Sequence, residues 1–210
     1  MIQKVAVIGS GIMGSRIACH MANIGLDVLL LDIAPFQLSD AEQKAGLTLE
    51  HPKVKNRIVK DALKATLKTK PASVYKKEFI NRIQTGNLTD DFEKIADADW
   101  IIEVVVERLD IKKQVFEKVE QLRKSGSIVS SNTSGIPIHM MLEDRSSDFK
   151  SHFDAAYNNN YPCCNIDQKN ISRDLQFHCN ELEPVHILFA HNSQMPVQKV
   201  SLHLGQVYLN

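Results

Sequence analysis

The chain has 210 residues, which is enough for one full domain and a shorter remainder. Its 25 basic and 25 acidic side chains balance, so the composition does not favour a nucleic-acid or membrane-surface partner. The four cysteines lack the spacing of a metal site, and no apolar run reaches the about 20 residues that span a bilayer. With no signal peptide in the sequence, we expect a cytoplasmic protein that has no metal, nucleic-acid or membrane partner.

The amino-terminal stretch predicts a strand, a glycine turn, a helix and a second strand in immediate succession. Residues 5–8 are a short apolar run, and residues 9–14 follow with the pattern Gly-x-Gly-x-x-Gly. Residues 15–24 place apolar side chains at helical spacing, and residues 27–31 form a second apolar run that ends in Asp32. This order of elements indicates a dinucleotide-binding βαβ unit. The alternative is a flavodoxin-like turn that binds another ligand or none.

The glycines of the turn and the acid after the second strand have separate physical roles. Gly9 permits the tight turn, Gly11 leaves room for a pyrophosphate against the backbone, and Gly14 allows the helix to pack closely. Asp32 lies 18 residues after Gly14, where a carboxylate accepts hydrogen bonds from ribose hydroxyls and repels a 2′-phosphate. The sequence therefore predicts NAD rather than NADP. The cofactor-binding residues predicted in the turn are Gly9, Gly11, Ile12, Met13 and Gly14.

The stretch after the second strand predicts two helices, of which the second is strongly basic. Pro35 predicts the start of a helix over residues 36–47. Residues 52–77 carry nine cations and one acid, with apolar residues near helical spacing. The cations that fall along one stripe of that predicted helix are Lys53, Lys60, Lys64 and Lys68. The stripe is either a solvated helix face, which the residues alone favour, or a site for a ligand with several phosphates.

Strands and helices alternate through the following stretch. We expect strands over residues 83–85, 100–106 and 127–130, and helices that begin near residues 90, 111 and 137. This alternation predicts an α/β fold of the Rossmann type, with a doubly wound parallel sheet and a helical insert. Ligands bind such sheets at the carboxyl ends of the strands, where the glycine turn, Glu107 and Ser134 all fall.

Three motifs follow one another along the first 153 residues. They are the glycine turn, Glu103-Val104-Val105-Val106-Glu107 with Lys112-Lys113 after it, and Ser131-Asn132-Thr133-Ser134. Together they make residues 2–153 resemble the amino-terminal, NAD-binding domain of the L-3-hydroxyacyl-CoA dehydrogenases. The resemblance implies an oxidoreductase that uses NAD to oxidise an L-3-hydroxyacyl-CoA to the 3-ketoacyl-CoA, as in fatty-acid β-oxidation. The glycine turn alone is shared with hydroxyisobutyrate and phosphogluconate dehydrogenases.

The resemblance also implies roles for single residues. Asp32 holds the adenosine ribose, Glu107 and Lys112 contact the nicotinamide side of NAD, and Ser134 binds the substrate 3-oxygen. Val104 and Asn132 are further expected cofactor contacts. The four lysines of the basic stripe contact the phosphates of coenzyme A, so the expected partner is an acyl-CoA. The alternatives are a helix cap for Ser134 and a solvated loop acid for Glu107.

The sequence departs from the family pattern after residue 153. Tyr157 stands where the family has its catalytic histidine, and no partner glutamate follows. Residues 154–210 hold eight of the 50 charged residues and eight of the 13 asparagines. We expect an NAD-binding domain over residues 1–153 and an irregular tail over residues 154–210, frame-shifted or disordered. That tail does not read as the family's helical carboxyl-terminal domain, through which the family usually dimerises.

These departures predict a truncated chain with impaired turnover. Two alternatives remain open: a non-catalytic NAD-binding fragment or module, and a hydroxyisobutyrate-type dehydrogenase that acts without coenzyme A.

Overall fold

The computed structural model describes residues 2–155, and within them it shows one parallel sheet of six strands. The strands are β1 (Lys4–Ile8), β2 (Asp27–Asp32), β3 (Ile83–Asn87), β4 (Trp100–Glu103), β5 (Ile128–Ser131) and β6 (Phe153–Ala155). Their order across the sheet is β3-β2-β1-β4-β5-β6, and every neighbouring pair is parallel. The strand order reverses between β1 and β4, which is the point where open α/β sheets bind ligands. The predicted Rossmann-type fold is confirmed.

Seven α-helices and two 3₁₀ helices join the strands within the described residues. The α-helices are α1 (Ile12–Asn23), α2 (Asp40–Lys44), α3 (Pro52–Lys55), α4 (Arg57–Thr66), α5 (Leu109–Leu122), α6 (Ile138–Met141) and α7 (Ser147–Ser151). The 3₁₀ helices are Lys77–Arg82 and Phe92–Asp97. Across residues 2–155, we find no helix with the length and apolar character needed to cross a membrane.

The core lies on both faces of the sheet. Every residue of β4 and all but the first of β1 are buried, because helices cover a parallel sheet on both sides. At the far end of the sheet, Phe116 of α5 meets the rings of Phe149 and Phe153 edge to face, with centroids 6.0 and 5.2 Å away. This aromatic cluster packs α5 and α7 against β6.

The helix predicted over residues 36–47 is wrong at both ends. The structure has only α2 there, which begins after Ser39 and ends at Lys44. The Ser39 hydroxyl accepts a hydrogen bond from the Glu42 N–H at 3.4 Å, and the Glu42 carboxylate accepts one from the Ser39 N–H at 2.7 Å. This reciprocal cap provides hydrogen-bond partners for free N–H groups at the start of the helix. Pro35 provides no such partner, so the helix begins after Ser39.

The basic insert is not one helix. It divides into α3 and α4 at Asn56, which has φ −97° and ψ 10°. The four lysines of the predicted stripe therefore do not share a helix, since Lys53 lies in α3 and Lys68 lies beyond the end of α4. Lys60 and Lys64 alone lie on α4, one turn apart and both exposed. The buried positions of α4 are Val59, Leu63 and Thr66.

Several strand ends differ from the sequence prediction; β3, for example, runs to Asn87 and not to residue 85. The strand predicted over residues 100–106 ends at Glu103, and pairing stops because the Val105 N–H turns back to the Glu103 carboxylate at 2.7 Å. Strand β6 runs to Ala155, two residues beyond the predicted domain boundary. The predictions made for Tyr157 and the rest of the tail lie outside the described residues.

Candidate cofactor and substrate site

The glycine turn after β1 is held by close backbone packing. Gly9 has φ +106°, which side-chain-bearing residues rarely adopt, and its N–H donates to the Leu31 carbonyl at 2.8 Å. A Cβ on Gly9 would lie 2.5 Å from the Val104 carbonyl oxygen, and one on Gly14 would lie 1.8 Å from the Gly9 carbonyl oxygen. Glycine is needed at both positions, because the first turn of α1 lies directly on the turn before it.

Gly11 and Ile12, at the amino end of α1, have open surroundings. A Cβ added to Gly11 would meet nothing within 4 Å, and Ile12 beside it is 74% exposed. No acidic side chain lies in the first turn of α1. The N–H groups and the positive dipole end of a helix favour anions, so this end of α1 suits a pyrophosphate. Ile12 and Met13, both predicted cofactor residues, form that first turn.

Asp32 ends β2, and three donors of its own chain hold its carboxylate. The Ser10 N–H and hydroxyl both donate to Asp32 Oδ2 at 2.6 Å, and the Ile33 N–H donates to Oδ1 at 2.7 Å. The structure thus places the predicted ribose-binding acid against the glycine turn. Sequence reasoning missed Ser10, which is 1% exposed, and the available signal was a hydroxyl between two glycines.

A buried ion pair lies under the site, between the ends of β4 and β5. Lys112 Nζ is 2.7 Å from Glu103 Oε1 and 2.9 Å from Oε2, and both side chains are at most 1% exposed. The Ser131 hydroxyl donates to Glu103 Oε2 at 2.5 Å, and the Val105 N–H donates to Oε1. Every charged atom of the pair has a partner, as burial of two charges requires.

The sequence alone assigns no role to Glu103, although Glu103 begins the second family motif. The available signal was an acid at the end of an apolar, fully buried strand, with a lysine nine residues later on the next helix. Lys112 itself was predicted to contact NAD. Its ammonium lies 3.4 Å from Glu107 Oε2 as well, so in the structure it supports the acid that faces the site. Its direct contact with NAD stays a prediction.

Glu107 joins the loop after β4 to the loop after β5. Its Oε1 accepts hydrogen bonds from the Thr133 hydroxyl at 2.5 Å, the Gly135 N–H at 2.9 Å and the Ser134 N–H at 3.2 Å. Burial raises the pKa of Glu107, but the bonds from Thr133 and Gly135 and the charge of Lys112 outweigh it and hold the pKa below its ordinary value. Glu107 is therefore ionised and holds the loop after β5 through three donors, and we call this set of bonds the Glu107 clasp. It is not a freely solvated loop acid.

Ser134 is exposed at the carboxyl end of β5, on the loop that Glu107 holds. The alternative that Ser134 caps a helix is wrong, because α6 begins at Ile138 after Pro137, and Ser134 is not its capping residue. The Ile136 N–H is bonded instead to the Thr133 hydroxyl at 3.2 Å. Among the described residues, the Ser134 hydroxyl has no hydrogen-bond partner, so it is available to a substrate oxygen.

Val104 and Asn132, the remaining predicted cofactor contacts, follow β4 and β5. The Val104 N–H donates to the Ile8 carbonyl and the Asn132 N–H donates to the Glu103 carbonyl, each at 2.8 Å. These bonds continue the β1–β4–β5 ladder past the ends of the strands. The glycine turn, Glu107 and Ser134 thereby all lie at the carboxyl ends of neighbouring strands.

The four predicted lysines of the basic insert are exposed, but only two of them share a helix. Lys53, Lys60, Lys64 and Lys68 are all exposed. Lys55 differs, because its ammonium is 2.8 Å from Glu50 and 3.0 Å from Asp90 and its side chain is largely buried. Lys55 fastens α3 to the loop after β3, while the four predicted lysines remain open to a ligand.

The comparisons with known proteins agree with this geometry. The family profile described as "3-hydroxyacyl-CoA dehydrogenase, NAD binding domain" matches residues 4–153. A probable 3-hydroxyacyl-CoA dehydrogenase of Bacillus subtilis is 55% identical over 152 residues, which are 72% of this chain and 19% of that protein. One of Deinococcus radiodurans is 41% identical over 161 residues, 77% of this chain and 42% of that protein.

A solved structure shows the same fold. The (S)-3-hydroxybutyryl-CoA dehydrogenase of Ralstonia eutropha superposes with a TM-score of 0.51 and 25% identity, over 74% of this chain and 48% of that one. The chain thus spans less than half the length of these relatives. The residues that fit NAD are Gly9 and Gly14, which are closely packed, Gly11 at the amino end of α1, and Asp32, which Ser10 holds. By the matched domain and these residues, the chain belongs to the NAD-binding-domain family of the 3-hydroxyacyl-CoA dehydrogenases, and its cofactor is NAD.

Proposed function

We propose that this chain descends from enzymes that oxidise an L-3-hydroxyacyl-CoA to the 3-ketoacyl-CoA, as in fatty-acid β-oxidation, in the cytoplasm. The observation that carries the proposal is the Glu107 clasp. It fixes the loop with the exposed Ser134 hydroxyl beside the strand ends that carry the glycine turn. A substrate oxygen bonded to Ser134 is then held at the carboxyl ends of the strands, on the same side of the sheet as the glycine turn.

In this proposal each site residue has a separate role. NAD, when bound, supplies the acceptor for the hydride that leaves C3 of the substrate. Ser134 orients the 3-oxygen through its hydroxyl, and Glu107 keeps the Ser134 loop in place through Oε1. Asp32 anchors the adenosine ribose, and the open end of α1 takes the pyrophosphate. The exposed lysines Lys53, Lys60, Lys64 and Lys68 contact the phosphates of coenzyme A.

Proton removal is the step for which this chain lacks the family residue. Tyr157, which lies outside the described residues, stands where the resemblance places the catalytic histidine. A positioned general base contributes about 10²- to 10⁴-fold to rate. We therefore propose that the chain binds NAD but oxidises substrate slowly. The second candidate, a non-catalytic NAD-binding module, is favoured by the same substitution.

The test is to measure NADH binding and acetoacetyl-CoA reduction with the full chain. We expect NADH to bind and turnover to fall at least about 100-fold below that of the Bacillus subtilis relative, because the base is lost. Turnover at the rate of that relative would contradict the proposed impairment. A chain that binds NADH with no measurable turnover at all would instead identify the non-catalytic module.

A further inference from the structure

Ser10 contacts Asp32 with both of its donors. Its N–H and its hydroxyl each lie 2.6 Å from Asp32 Oδ2, and Ser10 is 1% exposed. Ser10 is in turn fixed from the other side, since the buried Ser15 hydroxyl donates to the Ser10 carbonyl at 2.6 Å. The contact therefore joins the end of β2 to the glycine turn through a side chain that solvent does not reach.

These bonds determine how the Asp32 carboxylate presents itself to a ligand. An ionised carboxylate has about four acceptor positions, and Ser10 and Ile33 occupy three of them. The capacity that remains suits a hydroxyl, which can donate a hydrogen bond. A 2′-phosphate has only acceptors and negative charge at neutral pH, so it is repelled. Because Oδ2 is bonded twice, the carboxylate cannot rotate away to admit the phosphate without breaking buried hydrogen bonds.

We propose that Ser10 is a specificity-determining residue, whose hydroxyl fixes Asp32 in the orientation that accepts an adenosine ribose hydroxyl and excludes a 2′-phosphate. The inference rests on the NAD-binding function of the domain and adds a positioning residue to it. Without the hydroxyl, the N–H of residue 10 still bonds Asp32. The Asp32 carboxylate can then rotate, so discrimination between a ribose hydroxyl and a 2′-phosphate weakens. The glycine turn itself keeps its conformation.

The test is to titrate the full chain with NADH and with NADPH by calorimetry, at one ionic strength, for wild type and Ser10→Ala. We expect the ratio of NADPH Kd to NADH Kd to fall about fivefold in Ser10→Ala, the effect of one net hydrogen bond. Ser130→Ala is the matched control, because it also deletes one buried hydroxyl, which accepts a 2.7 Å bond from the Trp100 indole N–H and contacts neither Ser10 nor Asp32. It is expected to lower Tm without changing the ratio.

A double-mutant cycle separates positioning from general destabilisation. In an Asp32→Ala background, Ser10→Ala is expected to change the ratio no further, because its effect passes through the Asp32 carboxylate. An unchanged ratio in Ser10→Ala, or equal effects of Ser10→Ala with and without Asp32, would overturn the proposal. Wild-type protein that binds neither nucleotide would instead overturn the NAD-binding function, and the role of Ser10 with it.

Discussion

Two glycines of the same turn have opposite surroundings at the residue scale. A Cβ on Gly14 would lie 1.8 Å from the Gly9 carbonyl oxygen, whereas one on Gly11 would meet nothing within 4 Å. Gly14 is thus a requirement of the protein's own packing. Gly11 has no such requirement among the described residues, which agrees with its predicted place against a pyrophosphate.

The pair Gly14→Ala and Gly11→Ala tests this division. We expect Gly14→Ala to lower the free energy of unfolding by about 1–3 kcal/mol or more, because the added methyl group overlaps backbone atoms. Gly11→Ala is expected to keep the wild-type stability and to weaken NADH binding. Urea unfolding and NADH titration measure the two effects. If Gly11→Ala bound NADH as wild type does, the open space above Gly11 would not be the pyrophosphate site.

At the scale of elements, helix α5 connects two loops of the site through one buried side chain. Lys112 reaches from the first half of α5 to Glu103 at the end of β4 and to Glu107 in the following loop. Glu107 then bonds the loop after β5. Any shift of α5 along its axis therefore reaches the loop that carries Ser134.

The prediction at this scale concerns Lys112→Met. We expect it to lower the free energy of unfolding by about 3–5 kcal/mol, because it leaves the Glu103 carboxylate buried without its counter-charge. Lys113→Met is the matched control on the same helix, since the Lys113 ammonium bonds the exposed Glu143 carboxylate and its loss should change stability little. Urea denaturation of both variants gives the comparison.

A second replacement checks the cause of that loss. Glu103→Leu combined with Lys112→Met removes both charges, and we expect the double variant to recover part of the stability that Lys112→Met loses. If Lys112→Met were no less stable than Lys113→Met, the buried pair would contribute nothing to the domain.

The elements also show what a sequence alone can predict. The order of strands β1 to β5 follows from apolar periodicity and the glycine turn, and it was predicted correctly, unlike the division of the basic insert into two helices. The ends of α2 and β4 were not, because side chains decide them: the Ser39–Glu42 cap and the Glu103 carboxylate. Ser10 and Glu103 were missed for a related reason. Ser10 bonds Asp32, which lies 22 residues later in the sequence, and Glu103 bonds Lys112, which lies nine residues later. Only the folded chain brings these partners together.

For the whole molecule, the formal net charge of zero hides an uneven distribution. Nine cations and one acid lie between residues 52 and 77, so the rest of the chain is correspondingly acidic. Lys60 and Lys64 are exposed one turn apart on α4. A local positive surface on a neutral protein can attract a polyanionic ligand.

Charge reversal tests whether that ligand is coenzyme A. We expect the double variant Lys60→Glu/Lys64→Glu to weaken binding of free coenzyme A by at least about tenfold, because two attractions become repulsions. NADH affinity should stay unchanged. The control Lys118→Glu/Lys150→Glu changes the net charge equally at exposed lysines of α5 and α7. Equal losses in both variants would indicate a net-charge effect and contradict a coenzyme A site on α4.

The strand order β3-β2-β1-β4-β5-β6 has a consequence for synthesis on the ribosome. The two central neighbours, β1 and β4, pair across 95 residues of sequence, as in the register of Val5 with Trp100. At about 5–20 residues per second, translation of that interval takes on the order of 5–20 seconds. Until β4 is made, β1 exposes an edge of unpaired backbone N–H and C=O groups at what will become the middle of the sheet. The emerging chain is most exposed to aggregation before β4 leaves the exit tunnel.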